Sequence, residues 1–123
     1  MISWGHKHME IGETLEAHSA QEFADWLAAN GASHKDIWVL IYKKGSGKQT
    51  VTYEQLVEIA LCYGWIDGVM KGVDAEKYAQ RFSPRRKRSN WTDANRAIAR
   101  RLIAEGRMTE AGRAALPNDT EAD

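Results

Sequence analysis

The chain lacks most of the features that quickly assign a protein to a class, and each shortage excludes something. It has a single cysteine, Cys62, so no internal disulfide staples it, whereas a secreted domain of this size more commonly carries paired cysteines. No apolar run approaches the roughly 18 residues a membrane span needs. The opening MISWGHKHMEIGE has neither the apolar core nor the small-residue cleavage site of a secretory leader. The expected location is therefore the cytoplasm, with no membrane crossing. Net charge is also missing. Lysine plus arginine and aspartate plus glutamate each number 17, so the whole-chain charge gives no reason to expect nucleic acid or an anionic membrane as partner.

What is present fits one domain. At 123 residues there is chain for a single modest core, and 43% hydrophobic with 28% charged residues describes an ordinary globular composition. Residues 1–13 show no periodicity and are expected to be a flexible N-terminus, residues 14–117 a single domain, and residues 118–123 a disordered acidic tail. His6 and His8 form an H-x-H pair with no matched third and fourth ligand, so no metal site is expected there. No cofactor is expected either.

Capping chemistry marks the helices. Ser19 stands three residues before Glu22, a capping-box spacing, and Phe23, Trp26 and Leu27 follow at helical spacing before the stop Asn30-Gly31. A left-handed stop is expected at that pair. Ile37–Tyr42 is an apolar, partly β-branched run that reads as a central strand. A further short strand is possible around residues 14–17. The segment KKGSGKQT resembles a phosphate-binding loop but fails its test: Tyr42 stands where the first glycine is needed, and Gln49 where a serine or threonine should follow Lys48. It reads as a basic turn. Thr52 and Gln55 form a second capping box, opening a helix that Gly64 ends. Cys62 falls in the last turn of that helix, where the dipole disfavours a thiolate, so it is expected to be scaffold.

The stretch from Ala60 to Asn95 is where the sequence stops being generic. Trp65, Asp67 and Val69 alternate along a strand with Ile66 and Met70 on its other side, and a turn near residues 73–76 returns Lys77–Phe82 as the antiparallel partner. Asp67, a half-buried carboxylate, requires a partner. Arg81 comes back to about its level, so an Asp67–Arg81 pair is expected, subject to a register that a one-residue slip would reverse. Pro84 ends the strand. A basic loop follows, and between Arg81 and Arg107 nine basic residues face two acidic ones, Asp93 and Glu105. Thr92 or Ser89 caps the next helix, which carries Trp91, Asn95, Ile98 and Leu102 inward and ends at Gly106. Thr109 begins a short last helix, stopped at Pro117. A helix N-terminus with hydroxyls, an amide and arginines upstream suits an anion.

These residues resemble those of a known family. From Glu13 to Leu116 the chain is similar to the YdeI/OmpD-associated, or bacteriocin-protection, proteins, through ALCYGWIDG, RFSPRRKRSNWTDAN and GRMTEAG. The resemblance implies an α+β fold related to the YdhG-like or DUF1801 group, with a small antiparallel sheet of about three strands packed by four helices. It also implies that Trp65, Ile66, Asp67, Gly68, Arg81, Phe82, Pro84, Arg85, Ser89, Trp91 and Asn95 are family-typical positions. Two departures stand out: Thr92 replaces a common serine, and the chain ends soon after Leu116, where relatives often continue. The family has no established reaction.

Three functions follow as expectations. The leading one is a polar, basic pocket for a small anionic ligand, in which Arg81, Arg85, Arg86, Ser89 and Asn95 hold the ligand, Trp65 and Trp91 form an apolar wall, and Asp67 serves as acceptor or catalytic base. The second, implied by the resemblance to the YdhG-like group, is frataxin-like iron handling, for which Glu10, Glu13, Glu16, Asp119, Glu121 and Asp123 are the acidic candidates. The third is a nucleic-acid or protein-interaction module built on Arg85, Arg86, Lys87 and Arg88 and the arginine-bearing helix, with steep salt dependence; nucleic acid is the less favoured partner. The sequence specifies no oligomeric state.

Overall fold

A computed structural model describes residues 10–86 and 91–117. The His6/His8 pair, Lys87, Arg88, Ser89 and the tail acids Asp119, Glu121 and Asp123 lie outside the described residues. The fold is α+β, as the sequence implies, but the sheet has four strands rather than three, in the order β1-β2-β4-β3. In chain order the elements are β1 (Thr14–Leu15), α1 (Ala20–Asn30), β2 (Ile37–Tyr42), α2 (Tyr53–Cys62), β3 (Trp65–Gly72), β4 (Lys77–Pro84), α3 (Asp93–Ala104) and α4 (Glu110–Ala114). The additional strand, β1, runs parallel to β2, and all other pairings are antiparallel.

Each helix starts where its capping residue stands. The side chains of Ser19, Thr52, Thr92 and Thr109 accept from backbone N–H groups of the first turns of α1 to α4. The box at Thr52 is complete, because Gln55 returns a bond to the Thr52 amide. At α1 the returning arm differs: the Glu22 carboxylate accepts from the His18 amide at 2.9 Å. That bond holds the Glu22 carboxyl below its usual range. Gly31 corrects a second expectation, since its φ of −61° is right-handed. The glycine is needed there for space, because a Cβ would stand 2.6 Å from the Leu27 carbonyl oxygen. Gly64 does adopt the left-handed φ of +79°.

The core has two parts. Ile37, Val39 and Ile41 of β2, Phe82 of β4 and Trp65 of β3 form the sheet's contribution to the main cluster, against Phe23 and Leu27 of α1 and Leu56 and Ala60 of α2. Phe23 and Phe82 pack ring to ring, with centroids 5.0 Å apart. A second cluster joins Leu61 and Cys62 of α2 to Ala99 and Leu102 of α3 and to Met108. The third and fourth helices thus rest on α2, and a groove forms where α2, α3 and the end of the sheet meet.

The β3–β4 register decides which side chains reach that groove. Asp67 faces Phe82, and Met70 faces Gln80, so Gly68 and Val69 together oppose Arg81 in a bulge. The Gln80 amide, buried at 3% exposure, fills the irregularity by donating to the carbonyls of Gly68, Val69 and Arg81. Beyond the bulge the alternation is shifted by one. Met70 therefore lies on the same side as Asp67, and the expected grouping of Val69 with Trp65 and Asp67 does not hold.

Candidate functional site

The expected Asp67–Arg81 pair does not form. Residues directly opposite in an antiparallel ladder share a face, so Asp67 lies on the helix side with Phe82, and Arg81 points to the other side. There Arg81 Nε donates to Asp36 Oδ2 at 3.0 Å. Asp36 precedes Trp38 by two residues, and Trp38 is the cross-strand neighbour of Arg81, which makes the ion pair a diagonal contact across β2 and β4. It is a structural pair remote from the groove.

Asp67 instead accepts a hydrogen bond from the hydroxyl of Tyr53, the first residue of α2. Burial, then this bond, pushes the Tyr53 phenol up to about 12. At neutral pH Tyr53 is therefore a fixed donor and not a base. Arg85 approaches from the end of β4. Burial of its guanidinium lowers its pKa, and the Asp67 charge opposes that effect. Its guanidinium carbon lies 3.9 Å from the centroid of the Trp91 ring, a cation–π stack. The Arg85 amide donates to the Gly64 carbonyl at 2.9 Å, tying the strand end to the turn after α2.

Tyr53 and Asp67 open into a cleft of about 450 Å³, whose other lining residues are Glu54, Val57 and Glu58 of α2 and Asn95, Ile98 and Arg101 of α3. The volume lies within the roughly 300–1,000 Å³ of small-molecule sites. Asn95 reaches it because Thr92 caps α3 and accepts from the Asn95 amide at 3.1 Å, fixing the first turn with that side chain inward. Glu58 ties the two helical walls together: it accepts from Arg101 and from Arg107, and Glu105 joins both arginines. Among the described residues the lining carries the carboxylates Glu54, Glu58 and Asp67 and the guanidinium of Arg101.

The structure therefore brings together some of the sequence-derived residues and separates others. Asp67 and Asn95 share the cleft, and Arg85 with Trp91 stands beside Asp67. Arg81 is on the far face, and Arg86 is exposed. Trp65 is buried in the main core, edge-on to Trp26 with centroids 5.9 Å apart, and it borders a different depression with Gly31, Tyr63 and Ala111. Trp91 packs on the second cluster, so the two tryptophans do not form one wall. Residues missed by sequence reasoning are Tyr53, Glu54, Glu58 and Arg101. Tyr53 carried a usable signal: it opens the helix just before Asp67 and offers the donor that a half-buried carboxylate requires.

Cys62 is scaffold, as expected. It is 2% exposed, and burial pushes its thiol up. Glu13 and Glu16, two of the acids considered for iron, lie within ion-pair distance of histidines instead, Glu13 of His34 at 3.4 Å and Glu16 of His18 at 3.6 Å. Among the described residues no group of three or more histidine, cysteine, aspartate or glutamate side chains is placed to hold a metal ion. Among them, too, no helix is long and apolar enough to cross a membrane.

A family model described as a domain of unknown function (DUF8412) matches residues 15–115, and the chain belongs to that family. No curated protein and no solved structure matches the chain.

Proposed function

We propose that this DUF8412 domain binds a small polar ligand in the cleft between α2 and α3, with Asp67 as the orienting acceptor and Asn95 as a second hydrogen-bonding group. The observation that carries the reading is the Tyr53–Asp67 pair facing a cleft of about 450 Å³. A tyrosine that stays protonated holds one carboxylate oxygen in place, and a ligand donor adds to a group already oriented. With Glu58 already engaged by Arg101 and Arg107, the carboxylates that the described lining leaves to a ligand are Glu54 and Asp67, which favour one that is cationic or rich in donors.

A small anion, the ligand suggested by the basic loop, is the second reading. Arg85 over Trp91, exposed Arg86 and the Thr92-capped start of α3 support it, since these would hold an anion beside the cleft rather than inside it. The chain length supports a single domain over residues 14–117, and the lone Cys62 supports a cytoplasmic location.

Titration of isotope-labelled protein with putrescine and, separately, inorganic phosphate tests the reading by amide and side-chain shifts. Putrescine is expected to shift Tyr53, Asp67 and Asn95 to saturation, and Asp67→Asn to abolish the shifts while leaving the remaining spectrum folded. Saturable phosphate shifts at Arg85, Arg86 and Asn95 would favour the anion instead. Silence with both probes would discard the cleft as a ligand site for either class.

A further inference from the structure

We infer that the free edge of β3 receives an extended peptide strand from another protein, one that sets a carboxylate opposite Lys71 with apolar residues two positions to either side. Among the described residues the strand order places β3 outermost, with β4 on one side only. An open edge offers backbone donors and acceptors that match an extended chain and no other backbone shape. The edge is also apolar where such edges are ordinarily blunted. Among the described residues the exposed large hydrophobics are Val69 at 51%, Met70 at 59% and Val73 at 42%, all on β3 or the residue that follows it.

The bulge organises this edge. Because Gly68 and Val69 together oppose Arg81, Val69 falls on the sheet face away from the helices. Lys71 faces Ala79 on that same side, and Val73 follows in alternation. The face therefore reads apolar, basic, apolar at spacing two. Lys71 is the one charged residue between positions 68 and 73, and among the described residues no carboxylate lies within ion-pair distance of it. An unneutralised ammonium between two exposed valines is complemented by a carboxylate between two apolar side chains.

A second copy of this chain is the poorer occupant. Antiparallel self-pairing that sets Val69 against Val73 of the copy brings Lys71 against the copy's Lys71, a like-charge contact directly across the ladder. The edge thus discourages its own copy and selects a strand of opposite charge, which is specificity by repulsion as well as attraction.

The test uses the full chain and the peptide acetyl-Thr-Val-Thr-Glu-Thr-Val-Thr-amide at concentrations up to millimolar. Saturable amide shifts and slowed amide exchange are expected within residues 68–73, with none in the α2–α3 cleft. Lys71→Glu, a change at a half-exposed side chain, is expected to weaken binding about tenfold, and the same peptide with lysine in place of glutamate to recover it. Absence of saturable shifts, a Lys71→Glu variant that binds as the parent does, or a parent chain that sediments as a dimer paired through β3 would each overturn the proposal.

Discussion

Tyr53 and Asp67 meet where α2 begins and β3 passes, with the phenol as donor and the carboxylate as acceptor. The phenol's deprotonation is raised from 10.0 to about 12, by burial and then by this bond. The folded state holds that proton more tightly than the unfolded one, so the stability it contributes is fully present below pH 10 and is lost as the pH rises through 12. Tyr53→Phe is expected to lower stability by about 1 kcal/mol at neutral pH. Denaturant unfolding of the two proteins across that range should show the gap narrowing, and tyrosinate absorbance should lose one late-titrating group in the variant. A gap independent of pH would contradict the assignment.

Arg81 and Asp36 should behave as a pair that ignores the cleft. Arg81→Met and Asp36→Asn are each expected to cost about 1 kcal/mol, with a coupling of about 0.5 to 1 kcal/mol in a double-mutant cycle. Arg81→Met combined with Asp67→Asn is expected to be additive within about 0.5 kcal/mol. Strong coupling in the second cycle would restore the pairing that the ladder register excludes.

Gly112 of α4 packs tightly against the end of α2. A Cβ there would stand 2.2 Å from the Cys62 carbonyl oxygen, whereas one at Gly45 would meet nothing within 4 Å. Gly112→Ala is expected to destabilise by about 3 kcal/mol and Gly45→Ala to change stability by less than about 0.5 kcal/mol. Thermal unfolding of the two variants checks the contrast. Equal effects would mean that α4 is not seated as described.

Cys62 should resist thiol reagents in the folded protein. The side chain is 2% exposed and its thiol pKa is raised, chiefly by burial. Labelling is expected to follow global unfolding, accelerating with denaturant in step with loss of structure. Rapid labelling under native conditions would reopen the nucleophile that the helix C-terminus disfavours.

The sequence was most legible where structure is local. Ser19, Thr52, Thr92 and Thr109 cap helices because a hydroxyl and the next turn's amides are neighbours in the chain. The β3–β4 hairpin was visible for the same reason, through alternation and a turn. Its register was not, because the bulge at Gly68 and Val69 is stabilised by the side chain of Gln80, a contact that no periodicity displays. That one-residue shift separated Asp67 from Arg81. The cleft was half legible: Asp67 and Asn95 stood out as polar residues on buried faces, whereas Glu58 and Arg101 look like ordinary surface charges until α3 packs on α2.

The position of β4 between β2 and β3 also sets an order of assembly. The β3–β4 hairpin closes a short turn, so its pairing can precede any other in the sheet. The β2–β4 pairing, from Ile37 with Phe82 to Tyr42 with Lys77, must enclose all of α2 and β3 in its loop. The two-residue β1 can dock only on a β2 already in place. The barrier to folding is therefore expected to lie at the joining of β2 to a preformed hairpin. Substitutions in β1 would then change the unfolding rate and leave the folding rate nearly untouched.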